Sequence, residues 1–153
     1  MKKSDLPAIL VSRCLLGDAC RYAGDGCPHR EVIALGERYR LIGICPEADG
    51  GLPTPRPPAE LREGRVITAE GGDVTEEFKK GAALAVRKAK EAGATAAVLK
   101  ARSPSCGRGA VYDGTFTHTL IKGNGVTAEA LLGAGLAVYT EEDVAAGCFP
   151  VKE

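Results

Sequence analysis

The chain has 153 residues, six of them cysteine, and its 20 basic residues balance 20 acidic ones. That length and an ordinary globular composition suit one domain, residues 1–153, without a disorder signature. A nucleic-acid binder carries a basic excess or a clustered basic face, so the even charge excludes polyanions as expected partners.

The apolar run from Ala8 to Val11 is too short for a signal h-region, and later apolar segments are broken by Gly, Lys or Arg. No membrane partner is expected, and the reading places the protein in the cytoplasm. Thiols are normally reduced there, so six cysteines argue for metal binding or chemistry rather than structural disulfides. Nothing in the sequence specifies an oligomeric state.

Ala8 to Ser12 reads as a buried strand ending at Cys14, in a segment containing Gly17, Gly24 and Gly26. A helix is predicted from about Pro28 to Tyr39, with Val32, Ile33 and Leu35 as apolar residues. Arg40 to Ile44 is the next strand, ending at Cys45-Pro46. From Pro46 to Gly64 five prolines preclude a regular element, and a loop that long is usually functional. Arg65–Thr68 and Asp73-Val74 flank Gly71-Gly72 as a small hairpin.

The clearest helix is predicted from Glu76 to about Ala92, with Thr75 as N-cap and Gly93 just past its end. Phe78, Ala82, Ala85, Ala89 and Ala92 recur on one face, whose small residues suit close packing on a sheet. Thr95 to Leu99 is a third strand, followed by a polar loop, Lys100 to Gly109, that holds Cys106. Val111 to Thr119 reads as a hairpin around Asp113-Gly114, and Thr127 as the cap of a helix over 128–132. Leu136 to Tyr139 is a fourth strand, after which Thr140 caps a terminal helix. This alternation predicts an α/β fold: a Rossmann-like open, mostly parallel sheet with helices on both faces.

Each of the first three strands leads into a cysteine loop: Cys14, Cys45 and Cys106. Open parallel sheets bind ligands outside the carboxyl ends of their strands, so one edge receives three thiols from distant parts of the chain. Any one of them alone is best read as core, because free cysteine is among the most buried residues. Three at corresponding strand ends make a ligand set the better reading. Thiolate-rich sites select zinc or iron–sulfur clusters. Structural zinc wants four closed ligands, usually in Cys-x-x-Cys pairs, and none occurs here. A cubane cluster on three cysteines would leave one iron open as a Lewis acid.

Glu47, two residues after Cys45, would lie near enough to act as general acid or base, against its usual fate as a solvated carboxylate. Ser103, three residues before Cys106, could orient a substrate or water, although serine beside proline is more often a turn former. Cys20 and Cys27 could replace Cys14 or add a fourth ligand, while Cys148 is read as packing. Arg21, Tyr22 and Arg56 should rim the cleft, where Tyr22 and Arg56 are candidate contacts to a planar heterocycle. Gly24-Asp25-Gly26 is not a dinucleotide fingerprint, and no phosphate-binding lysine loop is present.

Three ordered blocks carry a family resemblance. They are Ser12-Arg13-Cys14-Leu15-Leu16-Gly17 with Arg21-Tyr22-Ala23-Gly24; Cys45-Pro46-Glu47 with Gly50 to Arg56; and Leu99 to Gly107 with Tyr112 to Phe116. From about Ile9 to Val144 the chain resembles a bacterial domain-of-unknown-function family that includes thiouracil desulfidase. Arg13 stands where that family more often has a small residue, and Cys20 and Cys27 lie outside its pattern. The resemblance implies a [4Fe-4S] cluster on Cys14, Cys45 and Cys106, and catalytic roles for Glu47 and Ser103. It implies a non-redox reaction in which water replaces the sulfur of a small thiolated heterocycle such as 2-thiouracil, releasing sulfide. The alternatives are a non-catalytic iron–sulfur redox sensor or electron carrier, and a zinc-binding module.

Overall fold

A computed structural model describes residue 2 and residues 5–149. Four parallel strands form the central sheet: β1 (Ala8–Ser12), β2 (Arg40–Ile44), β5 (Ala96–Leu99) and β8 (Ala137–Thr140), in the order β2-β1-β5-β8. Every residue of β1 is buried, because the strand lies between two neighbours and is covered on both faces. Ile9 and Val11 point to the layer of α1 (Arg30–Ala34) and α5 (Glu141–Ala145), where Val32 and Leu35 meet them. Leu10 points the other way, to α3 (Thr75–Ala92) and α4 (Val126–Gly133), against Ala85, Ala89 and Leu131. The predicted sheet with helices on both faces is therefore the observed one.

Register brings the strand ends together. Ser12 pairs with Ile44, Val11 with Val98 and Leu99 with Thr140, so the three cysteine loops leave one edge side by side.

Several local expectations are corrected. The helix predicted over 28–39 is a short α1 continued by a 3₁₀ turn at Leu35–Glu37. Its N-cap is His29, whose Nδ1 accepts from the Val32 amide at 3.4 Å, so Pro28 lies outside it. Ile33 is exposed rather than packed. The hairpin partner of β4 (Arg65–Thr68) is β3 (Ala59–Arg62), inside the stretch that its prolines marked as irregular. Asp73 adds only an isolated bridge to Ile67. The prolines of that stretch end at Pro58, which leaves four residues free to pair. A second exception there is α2 (Pro46–Asp49), one helical turn with Pro46 in its first turn.

The second small hairpin, β6 (Ala110–Tyr112) with β7 (Leu120–Lys122), is wider than a turn at Asp113-Gly114 requires. Thr75 and Thr127 are not caps. Thr75 is the first residue of α3, and its hydroxyl accepts from the Val66 amide at 2.8 Å, tying the helix to β4. Thr127 lies inside α4 and shares a hydrogen bond with Ser105 at 2.9 Å. Thr140 does cap α5, in a reciprocal capping box with Asp143. Cys148 is exposed; the packing residue there is Phe149, edge-on to Tyr39 and Tyr139.

Candidate active site

A cleft of about 680 Å³ opens at the carboxyl edge of the sheet. Its floor comes from the strand ends: Ser12, Cys14, Ile44, Cys45 and Cys106. Cys14, Cys45 and Cys106 are each buried, and the structure brings all three into this one cleft. Cys14 sits in a 3₁₀ turn directly after β1, and Cys45 joins β2 to α2.

Cys106 is farther from its strand, and its loop is held by α4. The amides of Val126, Thr127 and Ala128, which lack partners within their own helix, donate to the carbonyls of Pro104 and Ser105. Ser103 closes the loop from inside: its Oγ accepts the Ser105 and Cys106 amides at 3.1 and 3.0 Å. Ser103 is thus the turn former its neighbours suggested, and it also lines the cleft. With two amides on its oxygen, the hydroxyl keeps its O–H as donor.

Glu47 lies on α2 and lines the cleft beside the thiols. Arg56 donates from Nε to its Oε1 at 3.1 Å. The rest of that guanidinium donates to the Pro53 and Cys20 carbonyls and to Thr54 Oγ1, at 3.2, 2.9 and 2.9 Å. The Arg56 side chain is only 5% exposed, so the geometry commits it to holding Glu47 and the loop around it. Burial pushes the Glu47 carboxyl above its ordinary range, and Arg56 opposes that shift. Tyr22 stands at the rim, 43% exposed.

Close backbone approach positions α2. A Cβ on Gly81, mid-way along α3, would collide with the Pro46 carbonyl oxygen, and one on Gly50 would meet the Glu77 carbonyl. In an exposed helix Gly→Ala is stabilising by about 1 kcal/mol. Here Gly81→Ala is expected to destabilise by about 1–3 kcal/mol in urea denaturation, as overpacking does. An unchanged or raised midpoint would show that α2 is free to move.

Sequence reasoning missed two further groups. The buried Ser12 hydroxyl accepts the Lys100 amide at 3.0 Å and donates to Cys106 Sγ at 3.4 Å, aiming that sulfur. Asp49 accepts the Cys45 amide at 3.1 Å and Arg13 Nη1 at 3.3 Å, fixing the second cysteine. A serine closing an otherwise apolar buried strand was the available signal for the first, because a buried hydroxyl must find partners. Asp49 gave no comparable signal.

The donor set suits a soft metal cluster. Burial, then the neighbouring thiols Cys27, Cys106 and Cys20, push the Cys14 thiol far up. Burial likewise raises Cys106 to about 12. Such thiols ionise only against a compensating cation, and thiolate is the ligating form. Among the described residues no three His, Cys, Asp or Glu side chains converge on a point that one metal ion would fill. A cubane spreads its ligands over separate corners, which suits thiols arriving from three separate loops.

Fold and site together define a parallel α/β protein whose strand-end loops assemble a thiol-lined cleft with a carboxylate inside it. Comparison with known proteins is consistent with that class. The chain belongs to the 2-thiouracil desulfurase family, which it matches over residues 9–143. It is 42% identical over 146 residues to the Bacillus subtilis (strain 168) protein YbbK, covering 89% of this chain and 97% of that one. The solved structure of the [4Fe-4S]-dependent thiouracil desulfidase TudS superimposes with a TM-score of 0.85 at 42% identity, covering 92% of this chain and 94% of that chain.

Proposed function

We propose that this chain is a [4Fe-4S]-dependent desulfidase that hydrolyses the C–S bond of a small thiolated heterocycle such as 2-thiouracil. The observation that carries this reading is the single cleft in which three buried strand-end thiols meet Glu47, in a chain of this family. Cys14, Cys45 and Cys106 would hold the cluster. When bound, it supplies an open iron as Lewis acid for the soft thiocarbonyl sulfur.

The chain's own residues handle binding and protons. Water adds its oxygen to the ring carbon and sulfur departs as sulfide, so C=S becomes C=O with no net electron transfer. Glu47 takes one proton from the attacking water and returns it to the leaving sulfur, and the second water proton passes from the new hydroxyl to solvent as C=O forms. Arg56 keeps that carboxylate in place through Nε. Ser103, its oxygen occupied by two amides, acts as hydrogen-bond donor to the substrate or water rather than as base. Tyr22 offers an aromatic face at the rim. A reducing, cytoplasmic compartment suits free thiols, and among the described residues no helix is long and apolar enough to cross a membrane.

The test is iron and acid-labile sulfide per chain after anaerobic reconstitution, followed by 2-thiouracil turnover with sulfide release. About four irons are expected, the content of a cubane cluster, together with uracil as product. Protein that takes up no iron, or iron-loaded protein that leaves 2-thiouracil unchanged, would overturn the reading.

A further inference from the structure

One wall of the cleft is built with more care than a surface loop needs. It is formed by β3 and by the loop joining β6 to β7, residues 113–119, and Glu60 and Phe116 both line the cleft. Phe116 has φ +57° and His118 φ +58°, a left-handed conformation rare for residues with a Cβ. Such conformations persist only where the surroundings over-determine them, and they concentrate at functional sites.

The surroundings do so here. Glu60 is 8% exposed, and its Oε1 accepts the Gly114 and Phe116 amides at 3.0 and 3.1 Å. The Arg62 guanidinium donates to the Gly114 carbonyl from the same strand. Asp113 Oδ1 accepts from the amide and hydroxyl of Thr115, and the hydroxyls of Thr115, Thr117 and Thr119 form a chain of contacts at 2.6 and 2.8 Å. Gly114, at φ +93°, has no room for a Cβ against Arg62 and the Leu61 carbonyl. A buried carboxylate is unfavourable unless hydrogen-bonded. This one is devoted to fixing the backbone that carries a half-buried aromatic ring on the cleft.

We propose that Phe116 is the residue that selects a planar ring, by stacking on the heterocycle, and that Glu60 is its positioning residue. The proposal rests on the desulfidase reading and adds the residue that recognises the flat ring of its substrate. An aromatic side chain offers a flat, low-entropy surface to any π-face and supplies no proton or charge. Phe116 thus contributes equally to ground state and transition state. Its loss raises KM and leaves kcat nearly unchanged.

The experiment uses cluster-loaded protein with matched iron content. It measures 2-thiouracil kinetics and, separately, calorimetric affinity for the product uracil. Phe116→Ala is expected to raise KM and the uracil Kd by about tenfold, within the range of a lost base–aromatic stack, with kcat changed less than about twofold. Phe116→Tyr should stay near wild type. Glu60→Ala should reproduce the Phe116→Ala split, while Glu60→Gln, which keeps an oxygen for both amides, should restore wild-type behaviour. Should Glu60→Ala fail to fold, the Phe116 pair still decides. If wild type turns over 2-thiouracil but Phe116→Ala leaves KM and uracil affinity within twofold, this inference fails and the desulfidase reading stands. If wild type neither turns over 2-thiouracil nor binds uracil, both fall together.

Discussion

Replacing Glu47 with Gln is expected to lower 2-thiouracil turnover by about 10²–10⁴-fold, the usual contribution of a positioned acid–base group, while iron per chain stays at the wild-type value. The substitution keeps shape and changes chemistry. Gln retains a side-chain oxygen to accept from Arg56 Nε, the bond that fixes the native carboxylate. The helical turn that carries residue 47 is held by other contacts. Gly50 and Gly81 let it pack against α3, and Asp49 accepts the Cys45 amide. A fall in kcat at constant iron content therefore isolates proton transfer from folding and cluster assembly. The same variant separates the rivals. An electron carrier or redox sensor has no use for a carboxylate beside an open iron, and its midpoint potential would move little. If Glu47→Gln keeps more than about a tenth of wild-type kcat, proton transfer must be assigned to another group.

The convergence of the three thiols was legible because buried parallel strands are written as short β-rich apolar runs. Cys45 follows one of those runs directly and Cys14 another after Arg13 alone, at corresponding ends of paired strands. The alternation of strands with helices fixed the sheet type, and topology then placed the loops on one edge. What stayed hidden is long-range and aperiodic. Ser12 meets Cys106 across 94 residues, and Glu60 meets Gly114 across 54. A side chain that bonds a distant backbone amide leaves no repeat in the sequence. The same limit explains Thr75 and Thr127: a hydroxyl near a helix start looks like a cap, but each is engaged by a residue outside its helix. Arg56 reads in sequence as a rim cation facing substrate, whereas in the fold all its guanidinium nitrogens donate to protein acceptors. The strand Ala59–Arg62 was obscured by the prolines that precede it, since four residues are too few for alternation to register.

Cys14→Ala, Cys45→Ala and Cys106→Ala are each expected to lose most of the bound iron after reconstitution, with far-UV circular dichroism unchanged. Two remaining thiolates are too few to anchor a cubane, and the sheet keeps its hydrophobic layers without either thiol or cluster. The critical comparison is with the other two cysteines of the same neighbourhood. Cys27 is an electrostatic neighbour of Cys14, and Cys20 of Cys45. Cys20 also lines the cleft, and its carbonyl accepts from Cys45 Sγ at 3.6 Å. Proximity alone would therefore allow Cys20 to displace Cys45. The supporting structure argues otherwise. Cys45 follows a sheet strand directly and has its amide fixed by Asp49, whereas Cys20 sits in an irregular segment between β1 and α1. A rigidly held ligand loses less conformational entropy on binding metal than one in a loop. Cys20→Ala and Cys27→Ala should keep most of the iron. If instead Cys20→Ala loses it and Cys45→Ala does not, the ligand set is Cys14, Cys20 and Cys106. Glu47 would then no longer be tied to a cluster ligand two residues before it, and its assignment as proton carrier would rest on the Gln variant alone.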